Sequence, residues 1–170
     1  MLPHQYEKLK KGLFECGLTE ATYDEYYSIW IAENGDSEQS IKDYLWHCYN
    51  LLLKVYSKKV DNPEFMFRQQ RKVYCEMFQY LSFEEKNKTV AQKGINHCDL
   101  QLAALSSLTL VAEIVTPNCC TECEKTNGIK FPLIELLNKS VLPHKGCSRK
   151  GGCICCYVFT PQRDKTGKLL

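Results

Sequence analysis

Seven of the eleven cysteines of this chain fall between Cys119 and Cys156. They form two short clusters. Cys119-Cys120-Thr-Glu-Cys123 comes first, and Cys147-Ser-Arg-Lys-Gly-Gly-Cys153-Ile-Cys155-Cys156 follows after an interval of twenty-three residues. Two tight turns that each offer a pair of sulfurs, separated by a spacer, are what a tetrahedral thiolate site requires. Cys120-x-x-Cys123 is a standard half-site, because two intervening residues let both sulfurs face one ion. No other feature of the chain limits its folding as strongly.

The alternative to metal is a set of disulfides. An odd cysteine count and the adjacent pairs Cys119-Cys120 and Cys155-Cys156 fit that poorly. The opening residues hold no apolar run of signal-peptide length, and no stretch approaches the roughly 18 to 20 apolar residues of a membrane helix. The expected compartment is therefore the cytosol, where thiols stay reduced and clustered cysteines serve as metal ligands. One structural zinc ion per chain is the expected cofactor, and no membrane is expected.

The first half reads as helices. Tyr6, Leu9 and Leu13 recur at helical spacing. Thr22-Tyr-Asp-Glu25 has the pattern of a capping box and predicts a helix from Thr22 to about Glu33, with Tyr23, Tyr26, Tyr27 and Trp30 on one aromatic face. Asn34-Gly35 is a stop. Asp36 or Ser37 then caps a helix whose apolar stripe is Ile41, Tyr44, Leu45, Cys48, Leu51, Leu52 and Val55. Asn62-Pro63 opens another, with Met66, Val73, Tyr74, Met77 and Leu81 as its face. Ser82-Phe-Glu-Glu85 is a second capping-box pattern and predicts a more polar helix to near His97. Stripes at this spacing are read as core, and Cys48 and Cys75 as small buried apolar residues.

The pattern changes after about Ala104. Leu108 to Thr116 is rich in β-branched residues and predicts a strand leading to the first cysteine cluster. Asn127-Gly128 is a turn, Ile129 to Phe131 a short returning strand, and Leu133 to Asn138 a short helix. Gly151-Gly152 is a tight turn before a last strand, Cys153 to Phe159. The expected fold is mainly α with a small β zinc-binding module: a helical bundle over residues 1–106, then a cysteine-rich zinc-knuckle hairpin over 107–170, packed on the helices.

Five cysteines are candidate ligands: Cys120, Cys123, Cys147, Cys153 and Cys155. Zinc takes four in a structural site, and Cys153 and Cys155 face one side of an extended segment, so either can reach the ion. Cys119 and Cys156 point away, and His144 ranks below the cysteines. Such a site supplies the folding free energy that a segment with few large apolar groups lacks. Cys120-Thr-Glu-Cys123 also has thioredoxin-type spacing, which leaves a thiol redox protein as an alternative. That chemistry wants a helix after the first cysteine, and Asn127-Gly128 cuts any such helix short.

The segment Cys120-Thr-Glu-Cys-Glu-Lys-Thr-Asn-Gly-Ile-Lys-Phe131, then Leu142-Pro-His144, then Gly152-Cys-Ile-Cys155, resembles the C-terminal cysteine motif of Mu F-type phage head morphogenesis proteins. Cys120, Cys123, Gly128, Phe131, His144, Cys153 and Cys155 match it in order. The resemblance covers roughly residues 110–160. In that family the histidine stands just before the closing C-x-C, whereas here residues 145–152 intervene and add Cys147, which favours an all-cysteine site. The resemblance implies a phage- or prophage-derived protein associated with heads, and no reaction.

No complete catalytic motif stands out. A catalytic zinc keeps an open position, and a hydrolase is accordingly the last of the readings. Residues 139–170 hold seven Lys or Arg against one acid, a net +6, which leaves −4 on the first 138 residues of a chain of net charge +2. The expectation is a non-enzymatic zinc-binding structural or interaction protein with a protein partner. Its alternative is nucleic-acid binding through the basic zinc module.

Overall fold

The computed structural model describes residues 1–170 and contains ten elements: α1 (Pro3–Glu15), α2 (Glu20–Asn34), α3 (Glu38–Tyr56), α4 (Pro63–Phe83), α5 (Thr89–Ala104), β1 (Leu110–Val115), α6 (Thr121–Glu124), β2 (Lys130–Pro132), α7 (Leu133–Asn138) and β3 (Cys156–Pro161). The chain is mainly helical with one small sheet, an α+β fold. No helix is long and apolar enough to cross a membrane. The chain divides into two compact units, Met1–Glu84 and Glu85–Leu170.

The first unit comprises α1 to α4. Its helix starts are chemical. Ser37 Oγ accepts from the Ser40 amide at 3.1 Å and starts α3, and Asn62 Oδ1 accepts from the Phe65 amide at 3.0 Å with Pro63 in the first turn of α4. The α2 start differs from expectation. Thr19, not Thr22, is the cap, and its Oγ1 accepts from the Thr22 amide at 3.2 Å. Thr22 is already helical and bonds back to Thr19 through its hydroxyl. Gly35 ends α2 at φ 78° while its amide donates to the Ile31 carbonyl, as Asn34-Gly35 suggests.

The core of this unit is rich in tyrosine. Tyr23, Tyr44 and Tyr49 are fully buried beside Leu9, Leu13, Leu45 and Met77. A buried phenol needs a partner. Tyr44 donates to the Tyr23 carbonyl at 2.7 Å and Tyr49 to the Leu9 carbonyl at 3.3 Å, while the Tyr6 and Tyr23 hydroxyls meet at 2.6 Å. These bonds tie α1, α2 and α3 together at defined heights. The expected aromatic face of α2 divides: Tyr23 is buried, whereas Tyr26 is half exposed. On α3, Tyr44, Leu45, Cys48 and Leu52 are buried, and Val55 at the end of the stripe is 51% exposed.

The second unit begins one helix earlier than the cysteine pattern suggests. The sequence reading groups residues 1–106 as helices and starts the module at 107, whereas α5 folds with the sheet. Ser82 does not cap a new helix. Its Oγ bonds back to the Phe78 carbonyl inside α4 at 2.8 Å, which carries that helix to Phe83. Glu85 then takes φ 53°, and the next helix starts at Thr89, whose amide is received by Asn87 Oδ1 at 2.8 Å.

The sheet is antiparallel in the order β2-β1-β3. β1 pairs along its whole length with β3, from Leu110 opposite Pro161 to Val115 opposite Cys156. The last strand therefore starts later than expected, at Cys156. Residues 153–155 lead into it. Ala112 and Ile114 point into a core that also holds Leu100 of α5, Leu136 of α7, Leu142 and Tyr157.

Position along the α3 stripe should decide the cost of truncation. Leu45→Ala, at a fully buried site, is expected to lower stability by about 2–5 kcal/mol, whereas Val55→Ala should stay within about 0.5 kcal/mol of the parent. Urea denaturation followed by circular dichroism measures both.

Candidate metal centre

All eleven cysteines are free thiols. Five of their sulfurs converge in two triads that share a corner. Cys120, Cys123 and Cys147 lie within 4.8 Å of one another, and so do Cys123, Cys153 and Cys155. Cys123 is the common member. It makes side-chain hydrogen-bonding contacts with Cys155, Cys147 and Cys120, while Cys153 lies against Cys155. The group can hold a metal ion.

The first pair is set by the β1–β2 connection. β1 ends at Val115, and the chain makes a single helical turn, α6, before the Asn127-Gly128 turn returns it to β2. The hairpin has β1 as its outgoing strand, β2 as its returning strand and α6 at its tip. Gly128, at φ 78°, donates to the Ile114 carbonyl at 2.8 Å, and the Asn127 side chain accepts from the Thr116 amide at 3.1 Å. Cys120 occupies the N-cap of α6 and Cys123 its third residue, which places the two sulfurs 3.7 Å apart. Cys147 approaches from the second cluster, 3.8 Å from Cys120.

Backbone amides aim at these sulfurs. Those of Cys123 and Ser148 point to Cys120 Sγ and bring its thiol down to about 6. Three of the other sulfurs behave oppositely. Burial raises Cys123 and Cys147, and burial followed by the contact with Cys153 pushes Cys155 up to about 12. Cys123, Cys153 and Cys155 are each at most 1% exposed. The cluster is therefore part of the hydrophobic core and also a set of donors that only a cation can fully ionise.

Three groups that the sequence analysis passed over hold this geometry. Asn96 of α5 donates through Nδ2 to the Cys155 carbonyl at 3.0 Å, and its Oδ1 accepts from Gln92 at 3.1 Å, both bonds being buried. The available signal was an i,i+4 amide pair on a face otherwise made of Ala91, Cys98 and Leu100. Thr89 Oγ1 accepts from the Cys153 amide at 3.3 Å. Tyr157 receives the amides of Val141 at 3.2 Å and Leu142 at 3.1 Å and meets Ser140 Oγ at 3.0 Å. It pins the segment that leads through the cis Leu142–Pro143 bond to His144.

His144 stands outside both triads. Thr126 Oγ1 gives its only proton to the Cys123 carbonyl at 2.7 Å, so the 2.7 Å contact with His144 Nε2 has the ring as donor. The histidine braces the knuckle from behind. Cys119 and Cys156 are also outside. Cys119 donates to Glu124 Oε2 at 2.8 Å, and Cys156 faces the Val115 carbonyl at 4.0 Å. Glu122 pairs with Lys125 at 2.6 Å. Both acids beside the knuckle thus have partners.

No protein-family profile, curated protein or solved structure matches this chain.

Tyr157→Phe removes the acceptor for two amides and creates no cavity. The expected loss is about 1–3 kcal/mol, the cost of stranding buried donors. Thermal denaturation of the metal-loaded protein would show it, and an unchanged midpoint would mean that water replaces the phenol.

Proposed function

We propose that the second unit is a zinc-stabilised structural module that presents an interaction surface. The observation that carries this reading is the sulfur spacing. In a tetrahedral zinc–thiolate centre with bonds of about 2.3 Å, adjacent sulfurs stand about 3.8 Å apart. The Cys120–Cys123 and Cys120–Cys147 separations are 3.7 and 3.8 Å. Cys120, Cys123 and Cys147 supply one face of such a tetrahedron, and Cys123 also touches Cys155, which groups with Cys123 and Cys153. The proposed ligands are Cys120, Cys123 and Cys147 with Cys155 drawn in as the fourth by the ion, and Cys153 as a packed neighbour.

Bound zinc would supply charge compensation for four thiolates inside the core. The surrounding side chains orient the sulfurs and keep water out. A surplus of sulfur, with both nearby acids already paired, supports a closed structural site over a catalytic one. The head-assembly role suggested by the motif resemblance belongs to this proposal, with a capsid or portal component as the expected partner. Retention of such a component by the tagged protein in its host would support that part, and a stable monomer with no partner would remove it.

One observation favours a second reading, thiol redox. Cys120 caps a helical turn, its thiol is brought down to about 6, and Cys123 is 3.7 Å away. The same ionisation serves a metal ligand. The two readings separate in one experiment. Protein purified without added metal should carry one zinc per chain by elemental analysis. About four thiols should resist modification until a chelator is added, in keeping with the four ligands of a structural site. Cys119→Ser and Cys153→Ser should keep the zinc, whereas Cys123→Ser and Cys155→Ser should lose it. Metal-free protein with a reversible Cys120–Cys123 disulfide would establish the redox reading instead.

The thiol energetics give a pH dependence. At pH 7 Cys120, at about 6, is mostly thiolate, while Cys123, Cys147 and Cys155 are raised and hold their protons. Zinc binding should then expel about three protons, so affinity rises about a thousandfold per pH unit above the Cys120 value and more steeply below it. Calorimetric titration in buffers of different ionisation enthalpy counts the protons, and a count near zero would contradict the assignment.

A further inference from the structure

The basic residues near the chain end read as one block in the sequence, and the fold divides them. Strand β3 carries the chain from the Val115 end of β1 to its Leu110 end. Over six residues that is about 17 Å. Arg163, Lys165 and Lys168 lie beyond the far end, in a turn built on Asp164, whose carboxylate takes the amides of Thr166 and Lys168. Lys145, Arg149 and Lys150 stay with the cysteine cluster.

There they are joined by a second basic loop, from the α4–α5 connection. The Lys88 amide donates to the Gly151 carbonyl at 2.9 Å, and a methyl group placed on Gly151 would lie 3.0 Å from Lys88 Nζ. Arg149 Nη1 reaches back to the Gly152 carbonyl at 3.3 Å. Gly151 and Gly152 take φ values of 85° and 88°, and a methyl group on Gly152 would collide with Asn87 Oδ1 and Thr89 Oγ1. Glycine is what lets the loops close this tightly. Lys88 and Arg149 flank the Gly151-Gly152 turn, Lys150 adjoins it in the chain and Lys145 lies in the same loop; none of these four is in an ion pair, and Glu85 is the only carboxylate in either loop.

We propose that the loops 85–88 and 145–152 form a binding surface for the phosphate backbone of double-stranded nucleic acid. Four cations without ion-pair partners, on two loops joined by the Lys88–Gly151 bond, suit a row of phosphates. Apart from Cys147 and the glycines, every side chain in the two loops is polar or charged. That gives a lipid bilayer nothing apolar to receive. The aromatic residues of this unit are Phe131, Tyr157 and Phe159, none of them in these loops and none exposed, so no stacking platform for unpaired bases is present. Contact of this kind holds a duplex without reading its sequence. The inference rests on the zinc reading in one respect: Cys147 and Cys155, two of the proposed ligands, stand on either side of the 148–152 turn, so the metal would hold one of the two loops in place.

The test is fluorescence anisotropy of the full zinc-loaded chain with a labelled duplex of about 20 base pairs, a single strand of the same length and vesicles of anionic phospholipid. Metal content is measured on each sample. Four phosphate contacts predict a slope near −3.6 for log affinity against log salt, roughly a 150-fold loss from 50 to 200 mM. Lys88→Gln with Lys150→Gln should reduce that loss to about 12-fold while zinc content stays the same. Lys165→Gln with Lys168→Gln, at the other end of the sheet, should leave the slope unchanged. No duplex binding at 50 mM salt, an equal slope in the Lys88/Lys150 variant, tighter binding of the single strand, or binding of vesicles in place of the duplex would each overturn the proposal. A protein that binds the duplex but holds no zinc would retain this surface and remove the metal reading.

Discussion

Three sulfurs, those of Cys123, Cys153 and Cys155, sit in the interior of residues 85–170 among Leu100, Ile114, Leu136 and Leu142. As thiols they pack like small apolar groups. As thiolates they are charges in a poorly solvated place and need a cation to compensate them. Much of this unit is arranged to manage that choice. Amides point at Cys120, burial withholds ionisation from its neighbours, and the acids nearest the knuckle are paired elsewhere. The sulfurs and whatever they bind complete a core that Leu100, Ile114, Leu136, Leu142 and Tyr157 close around them.

The sulfurs need a frame, and most of it comes from outside the cysteine-rich segment. α5 supplies Asn96 and Thr89 to the segment that carries Cys153 and Cys155 into β3. Tyr157, one residue past that cluster, turns back to hold Val141 and Leu142. Each bond joins residues far apart in sequence and buries a backbone group that would otherwise be unpaired, so the turn geometry at the cluster is tied to the packing of the whole unit. The same closure brings Lys88 against Gly151. The scaffold that orders the sulfurs therefore also gathers the cations.

Much of this organisation is legible residue by residue. Cys120-x-x-Cys123, Asn127-Gly128 and Gly151-Gly152 act through local geometry, and the structure has a knuckle, a turn with φ 78° and a pair of left-handed glycines at those places. Ser37 and Asn62 start helices because a side-chain oxygen next to a free amide needs no distant partner. Local reasoning failed where two local solutions competed. Thr22 and Ser82 both look like caps, and both hydroxyls find partners within a helix or its own cap. The His144 position is similar. Composition makes it a possible ligand, and Thr126, eighteen residues away in sequence, turns it into a brace.

By itself the sequence determined the helical first half, the strand, turn and short helix of the second, and which five sulfurs were eligible to meet. These follow from side-chain period, turn chemistry and the reach of two residues between ligands, all properties of a few neighbouring positions. Only the tertiary structure decided that α5 belongs with the sheet, that Cys123 is the sulfur common to both triads, and that the basic block is split by β3 and completed by Lys88. Those outcomes depend on which buried polar group finds which partner across the fold. Asn96 meets the carbonyl of Cys155 fifty-nine positions away, a distance over which no local pattern carries information.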